Sequence, residues 1–280
     1  MENILVPAFL NTPWGMAIFV ILDIVVFVLI AALNYRWLFK RLFDIIFSAI
    51  FLAVFLVFFL IFLAADAIYN KVTNAYRELF ESRYCCGKKG KTIRIFTLTT
   101  ERILHDAEGN LLPEKERITG FGKFLKGSGL KYYPMLVHVF TGRMSFVGPL
   151  PLPLADAAAL PPERRARFAL RPGIVNSLVR YGGEKLTYAD MFEEDEEYVA
   201  HVSLFRDVLF FMTRLAQKVR GEKYNYLGEV SQKSYLASLL EQGAITEEDA
   251  DAFRADAEAR LRRKKEEASN RKLFEENRLR

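Results

Sequence analysis

The stretch Phe121–Pro153 reads FGKFLKGSGLKYYPMLVHVFTGRMSFVGPLPLP. Glycines and lysines open it, an apolar run from Met135 to Phe140 follows, and glycine and proline residues close it. The pattern predicts a short helix over the apolar run, between an entry rich in glycine and serine and a glycine-proline exit. The sequence from Ile118 to Ala155 contains no aspartate or glutamate. An acidic catalytic group therefore has to come from another part of the chain.

Two long apolar runs lie on the N-terminal side of this stretch. Trp14–Leu33 contains one charge, Asp23, and Leu42–Ala65 is free of charge after Asp44. Each run is long enough to cross a bilayer core of about 30 Å. The first run has no basic residues before it and is too long for a cleaved signal peptide. The sequence therefore predicts a membrane-anchored protein.

The distribution of positive charge predicts how these runs are oriented. The residues before the first run contain no lysine or arginine, the connector contains Arg36, Lys40 and Arg41, and further basic residues follow the second run. The positive-inside rule places both the connector and the following domain in the cytoplasm. Both placements are satisfied if the first run spans the membrane and the second run is re-entrant. A spanning two-helix hairpin is the alternative, favoured by the lack of proline in the second run, where Ser48 is the obvious residue for a bend.

Bulk composition excludes several functions. The 280 residues carry a formal charge of +5 and only two cysteines, the adjacent Cys85 and Cys86, which indicates no disulfide framework. His105, His138 and His201 are scattered without ligand spacing, so no metal site is predicted. Nucleic acid is not expected as a partner, because the membrane runs place the basic residues beside lipid.

Basic residues in two turns are candidates for binding phosphate. Gly87–Lys91 predicts a tight turn before a strand at Thr92–Thr99, and it either meets phosphates of lipid or substrate or is a solvated hairpin tip. Arg171, held between leucine and proline, suits a diphosphate or pairs with Glu184 or Asp195. Before this turn, Tyr69–Tyr84 has aromatic residues at helical spacing and indicates a helical segment on the membrane surface. The phosphate- or substrate-binding candidates are Lys88, Lys91, Lys123, Lys126, Arg143 and Arg171, and the residues predicted to shape the site are Ser128, Pro134, Gly148, Pro149, Pro172 and Gly173.

Several of these pieces resemble, in the same order, the bacterial sugar transferases, which are monotopic polyprenyl-phosphate phosphoglycosyl transferases. The similar pieces are KRLFD at Lys40–Asp44, the turn and strand Gly87–Phe96, Gly122–Leu125, GRMSFVGP at Gly142–Pro149, RPGI at Arg171–Ile174, and residues between Asp195 and Asp207. The resemblance covers residues 39 to 220. It implies a mostly α-helical α/β fold with a small cytosolic domain, one transmembrane helix and a re-entrant or second membrane helix.

The chemistry that the resemblance implies is specific. In the family an Asp–Glu dyad acts with magnesium, and the aspartate attacks the diphosphate of a nucleotide-sugar before the sugar phosphate passes to polyprenyl phosphate. The positions of this dyad, set by the proline at Pro134, are Lys131 and Tyr132 here. A lysine does not ligate magnesium, so the resemblance implies no catalytic dyad, no metal and no cofactor in this chain. Arg143 also stands where the family has an aspartate, and Leu150 where it has an arginine.

Three functional hypotheses follow. The first is a degenerate transferase of exopolysaccharide or surface-glycan synthesis that acts as partner or regulator of an active family member, pairs with itself, or binds polyprenyl phosphate or a nucleotide-sugar. The second is an active phosphoglycosyl transferase whose acid is Glu184, Asp190 or Asp195. The third is a membrane scaffold without sugar chemistry.

The C-terminal residues motivate the third hypothesis. Leu239–Glu248 predicts a helix end at a glycine and a new helix capped by threonine. Arg260–Arg280 is rich in charge and predicts a solvated or disordered segment. The expected division is 1–38 with the transmembrane helix, 39–228 as the sugar-transferase-like domain, and 229–280 as an oligomerisation or docking arm. The expected location is the bacterial inner (cytoplasmic) membrane, with the main domain in the cytoplasm.

Overall fold

The computed structural model describes residues 12–73, 78–102, 108, 110, 112–181, 186–221 and 233–278. In this part of the chain helices predominate and the strands are short. The helices are α1 Pro13–Leu33, α2 Lys40–Thr73, α3 Glu114–Arg117, α4 Gly120–Ser128, α5 Met135–Phe140, α6 Leu154–Ala158, α7 Tyr188–Ala200, α8 Leu204–Val219, α9 Tyr235–Glu241 and α10 Glu247–Arg278. The strands are β1 Phe80–Cys86, β2 Thr92–Leu98, β3 Ser145–Val147, β4 Leu152–Pro153 and β5 Gly173–Val175.

Both predicted membrane segments are helices. A π-helical turn, Tyr35–Phe39, joins α1 to α2. Their apolar segments, Pro13–Ile30 and Lys40–Ile68, have mean hydropathies of 2.5 and 3.2 and are long enough to cross a membrane. The large apolar side chains of α1 are exposed along its length. Since water solvates such a surface poorly, these helices anchor the protein in a membrane.

α2 continues without interruption from Lys40 to Thr73. The Ser48 hydroxyl donates to the backbone oxygen of Asp44 at 2.6 Å, so this polar group is satisfied by the preceding turn of its own helix. The residue expected to provide a bend therefore does not break the helix.

One face of α2 packs against the domain while the rest remains exposed and apolar. Ring contacts reach from Phe51, whose centroid lies 5.9 Å from that of Phe146, to Phe62, 4.7 Å from Phe121. Between them the Tyr133 hydroxyl donates to Leu52 O at 2.8 Å. The contacting stripe consists of Lys40, Asp44, Ser48, Phe51, Phe59 and Phe62. From Lys40 to Phe62 it runs along about 33 Å of helix axis.

Two small sheets occur among the described residues. In the first, β1 pairs antiparallel with β2, from Phe80 opposite Leu98 to Cys86 opposite Thr92, and on its other side with β4. The second contains β3 and β5, which pair in parallel. The two sheets hold the two ends of the Gly142–Pro153 segment, since β3 lies in one sheet and β4 in the other.

Two glycines allow the loop at Gly148–Pro149 to touch the loop at Arg171–Gly173. A Cβ atom on Gly148 would lie 2.3 Å from Arg171 O, and one on Gly173 would lie 2.2 Å from Gly148 N. No side chain fits at either position without moving backbone. Gly148 and Gly173, predicted to shape the site, therefore set the approach of β3 to β5.

The structure corrects one local prediction and confirms others. Phe80–Tyr84 is part of β1, so the helical assignment of Tyr69–Tyr84 is wrong there, while residues 69–73 end α2. The predicted turn closes through Gly87 N–H donating to Lys91 O at 2.8 Å. The predicted short helix is α5, with the predicted bounds.

The C-terminal segment has the predicted helix order but packs on the domain. Leu236 N–H donates to buried Asp156 at 3.1 Å, and the Tyr235 ring lies 5.0 Å from that of Phe192. The new helix α10 begins after Thr246, which exchanges capping hydrogen bonds with Asp249. Its side chains are exposed from residue 262 to residue 271, so the solvated part begins only beyond Leu261.

Candidate functional site

Four buried polar side chains fasten the start of α2 to the domain. Lys40 Nζ pairs with the Asp207 carboxylate and donates to Tyr198 OH at 3.0 Å. The hydroxyls of Tyr35 and Tyr198 donate to the same carboxylate at 2.6 and 2.5 Å. We call Tyr35, Lys40, Tyr198 and Asp207 the anchor. Lys40 also donates to Val147 O at 2.9 Å, so the anchor fixes β3 relative to the membrane helix.

A second contact from α2 holds the same loop. The buried carboxylate of Asp44 accepts from Ser145 Oγ at 3.0 Å and from Phe146 N–H at 2.9 Å. Together with the anchor, this contact positions the segment that follows α5. The sequence signal for both was the KRLFD piece, but nothing in the sequence indicated the partners of Lys40 and Asp44.

Lys131 and Tyr132, the positions that the resemblance assigns to the dyad, lie in a helical turn just before α5. Lys131 is 8% exposed, and its Nζ lies 3.5 Å from Glu81 Oε2 on β1. Burial lowers the pKa of Lys131, and the nearby Glu81 carboxylate opposes that effect. Tyr132 is 43% exposed. Lys131 is therefore a buried lysine whose carboxylate partner comes from β1.

The other lysines near the dyad positions divide into paired and exposed ones. Lys126 and Arg117 both pair with Glu101, at 3.2 and 3.0 Å. Lys123 is exposed on α4. Ser128, at the end of the same helix, donates to Leu125 O and accepts from Leu130 N–H, and thereby shapes the turn that carries Lys131.

Arg171 and Lys88 lie at the opposite end of α5. Arg171 Nε donates to Gly142 O at 2.7 Å, and Arg41 donates to Val139 O and Phe140 O at 2.6 and 2.7 Å. Cations at a helix C-terminus satisfy carbonyls that lack a helical partner. Burial lowers the pKa of Lys88, and the positive charges of Arg171 and Lys89 lower it further. Arg143 is exposed beside Gly142, and Lys91 is exposed at the end of the turn.

His138 is buried on α5 at the open edge of β2. Its Nε2 accepts from Phe96 N–H at 3.1 Å, and the two rings stack with centroids 5.5 Å apart. Burial lowers the pKa of His138 to about 4, with a smaller contribution from Arg143. The ring is therefore neutral and satisfies a strand amide, a role that the sequence did not indicate.

The carboxylates proposed for a rebuilt active site have structural partners. Asp195 is fully buried and lies 2.8 Å from Arg167, so its predicted pairing with Arg171 is wrong. Asp190 accepts from Thr187 N–H and Oγ1 and caps α7. Glu184 and His105 lie outside the described residues.

The dyad positions do not fit a magnesium ion. Magnesium requires several oxygen ligands, and a lysine brings positive charge instead. Over the ranges that the structure describes, no group of three or more His, Cys, Asp or Glu side chains is arranged to hold a metal ion.

The model of the bacterial sugar transferase family matches residues 35–221, which include α2, both sheets and the anchor. The chain belongs to this family. The match begins at Tyr35, the first anchor residue, and ends just beyond α8. The membrane helix α1 and the C-terminal helices α9 and α10 lie outside the family match.

Individual family members are similar over about half of the chain. An uncharacterized sugar transferase, EpsL, of Bacillus subtilis is 29% identical over 54% of this chain and 75% of its own length. A UDP-glucose:undecaprenyl-phosphate glucose-1-phosphate transferase of Xanthomonas campestris is 29% identical over 50% of this chain and 31% of its own. The exopolysaccharide production protein ExoY of Rhizobium meliloti is 34% identical over 36% of this chain and 46% of its own. The chain thus spans three quarters of the Bacillus protein and less than half of the other two.

Proposed function

We propose that this protein is a catalytically inactive sugar transferase family member that works beside an active one in the synthesis of an exopolysaccharide or another surface glycan. The observation that carries the proposal is the Lys131–Glu81 pair at the first dyad position. A protonated lysine has no lone pair with which to attack a phosphate or bind a cation. Tyr132 at the second position has a phenol in place of a carboxylate.

The surroundings of Lys131 support the same conclusion. A displaced nucleophile would need an unpaired carboxylate near α5, and Glu81 and Glu101 are each engaged with a lysine or arginine. Asp190 and Asp195 serve as a helix cap and as a buried ion-pair partner. The contacts of the anchor and the close approach of Gly148 to Gly173 are nonetheless present. The protein therefore has the family scaffold without its reacting groups.

The test is a transferase assay on the purified full-length protein. Relatives carry names that specify UDP-glucose and undecaprenyl phosphate, so these are the substrates to supply, with magnesium. We expect no release of uridine monophosphate above empty membranes, while an active relative such as the Escherichia coli enzyme releases it in the same preparation. Substrate-dependent release by this protein above the empty-membrane control would establish an active enzyme and refute the proposal.

A second arm tests the partner role. Cross-linking in the native host followed by affinity purification should recover an active family member with this chain. The matched sample is a variant truncated after residue 221, which keeps the family region but lacks α9 and α10. Loss of the active member from the truncated sample would assign docking to the C-terminal helices. Recovery of no family member from either sample would contradict the partner role.

We further propose that both ends of α2 lie on the cytoplasmic side of the bacterial inner membrane, with the domain packed along it. The contact stripe on α2 is about as long as the bilayer core is thick, so a spanning α2 would draw the domain through the membrane. α8 adds an exposed apolar row beside α2, where Phe211 lies 6.3 Å from Phe51. The row consists of Phe205, Val208, Leu209, Met212, Leu215 and Val219.

Labelling of single cysteines tests this orientation. Leu38→Cys lies between the two membrane helices and Ser269→Cys lies on the exposed part of α10. The native Cys85 and Cys86 are buried, so the unmodified protein gives the background. We expect an impermeant maleimide to label neither variant in intact cells and both in opened cells. Labelling of Leu38→Cys alone in intact cells would establish the spanning hairpin.

A further inference from the structure

Two arginines converge on the turn that ends α5. Arg41 reaches Val139 O and Phe140 O, and Arg171 reaches Gly142 O, so both guanidinium groups are held on the same few residues. A Cβ atom on Gly142 would lie 3.0 Å from an Arg41 nitrogen, which shows how closely that guanidinium covers the turn. The next residue, Arg143, is exposed. This end of α5 is the one opposite the dyad positions.

Lys88 brings a further positive charge to the same place. It begins the Lys88–Gly90 turn, which contacts the helical turn Pro162–Ala169 just before Arg171. After burial, the influences that lower the pKa of Lys88 are positive charges, those of Arg171, Lys89 and Arg36. Like charges repel one another, so this concentration of positive charge carries a repulsion. An anion at this point would relieve it.

The described residues supply no such anion. Within the ranges that the structure describes, no carboxylate forms an ion pair with Lys88, Arg143 or Arg171. The two terminal nitrogens of Arg171 likewise make no hydrogen bond there. Lys126 and Lys131, by contrast, each have a glutamate partner. The absence of carboxylates is therefore a property of this end of α5.

The position of the cluster selects the kind of anion. Arg41 is the second residue of the apolar segment of α2, and the turn Tyr35–Phe39 joins that segment to α1. Both apolar helices thus emerge from the membrane next to the cluster, at the depth of lipid headgroups. Basic residues beside a membrane helix attract anionic lipids at this depth.

We propose that Arg41, Lys88, Arg143 and Arg171 form a binding site for the phosphodiester headgroup of an anionic phospholipid. Arg171 offers the phosphate two parallel N–H donors, because its Nε is already held by Gly142 O. Lys88 and Arg143 add charge from either side, and Arg41 contributes charge while its donors hold α5. The site is separate from the dyad positions and does not depend on whether transferase chemistry is retained.

The test measures thermal unfolding of the full-length protein in a neutral detergent as short-chain phosphatidylglycerol is added. A ligand that binds only the folded state raises the Tm as its concentration rises. We expect phosphatidylglycerol to raise the Tm and short-chain phosphatidylcholine to need at least tenfold higher concentration. The double variant Lys88→Gln/Arg143→Gln should weaken the phosphatidylglycerol effect at least tenfold. The control Lys91→Gln/Lys123→Gln, with the same change in charge, should stay within twofold of the unmodified protein.

Lys88 and Arg143 are chosen because neither side chain forms a hydrogen bond or ion pair with the described residues, whereas Arg41 and Arg171 do. Both double variants should therefore unfold near the unmodified Tm when no lipid is present. Equal loss in the two double variants would show a general charge effect and overturn the proposal. Stabilisation by inorganic pyrophosphate at concentrations equal to those of phosphatidylglycerol would assign the site to a soluble phosphate ester and overturn the lipid assignment.

Discussion

The anchor and the Lys131–Glu81 pair each set a lysine against a carboxylate, but in different surroundings. At the anchor the two side chains are 8% and 9% exposed, and two tyrosine hydroxyls and a backbone carbonyl complete the hydrogen bonding. At the dyad position Lys131 is buried while the Glu81 side chain is 44% exposed, and 3.5 Å separates the charged atoms. Of these two pairs, only the one in the anchor has both partners shielded from water.

This difference in burial distinguishes a pair that holds the fold together from a pair at the position that the resemblance assigns to catalysis. Removing one partner from a buried, hydrogen-bonded pair leaves the other charge in a medium that does not solvate it. A pair with one partner in water contributes little, because water replaces the lost interaction. We therefore expect substitutions at the anchor to be costly to the fold and substitutions at Lys131 to be tolerated. A chain can therefore keep the fold after the reacting groups have changed.

The largest expected effect is from Lys40→Met. The methionine keeps the length of the side chain but leaves Asp207 buried without its cation, which should cost about 3–5 kcal/mol of unfolding free energy. Chemical denaturation in detergent measures the loss. Lys123→Met, which removes an exposed lysine of α4, is the control and should stay within about 0.5 kcal/mol. A loss below about 1 kcal/mol for Lys40→Met would mean that the anchor does not differ from a surface pair.

An intermediate effect is expected from substitution of His138. This side chain is buried and neutral, whereas Lys40 is buried and charged. Its folded pKa of about 4 lies below the value of 6.5 for an exposed histidine. Between these two pH values His138 binds a proton in the unfolded chain but not in the folded chain. The free energy of unfolding therefore falls as the pH drops from about 6.5 towards 4. The shift corresponds to about 3 kcal/mol across that window.

His138→Asn removes this contribution while an amide can still accept from Phe96 N–H. Unfolding free energies at pH 7 and pH 4.5 should differ by about 2–3 kcal/mol less in the variant than in the unmodified protein. His201→Asn, at an exposed position, is the control for the loss of a histidine. Identical pH slopes in His138→Asn and the unmodified protein would contradict the buried neutral ring.

The sequence predicts the elements whose cause is local. The two apolar runs, the α5 run between glycine and proline, the turn at Gly87 and the capped start of α10 each follow from neighbouring residues, and the structure has them. The sequence does not predict β1, because the polar run Glu81–Arg83 interrupts its apolar residues, and its strand form depends on pairing with β2. Tertiary pairing overrides the local pattern in such a segment.

The candidate site depends on long-range contacts that no spacing reveals. Lys40 and Asp207 lie 167 residues apart, and the sequence indicates each of them only through a family resemblance. Of the predicted phosphate-binding residues, the structure brings Lys88, Arg143 and Arg171 together at one end of α5 and places Lys123 and Lys126 towards the other. The carboxylate partner of Lys131 is Glu81, which comes from β1, a distant part of the chain.

The smallest expected effect is from Lys131→Met, and it completes the comparison with Lys40→Met. Burial of the ammonium group opposes the attraction to half-exposed Glu81, so the change should alter the unfolding free energy by no more than about 1 kcal/mol, in either direction. Glu81→Gln and the double variant close a thermodynamic cycle that isolates the coupling between the two side chains. We expect a coupling below about 1 kcal/mol. A coupling above about 2 kcal/mol would make the dyad position as constrained as the anchor, since its lysine would then be held for the fold rather than tolerated by it.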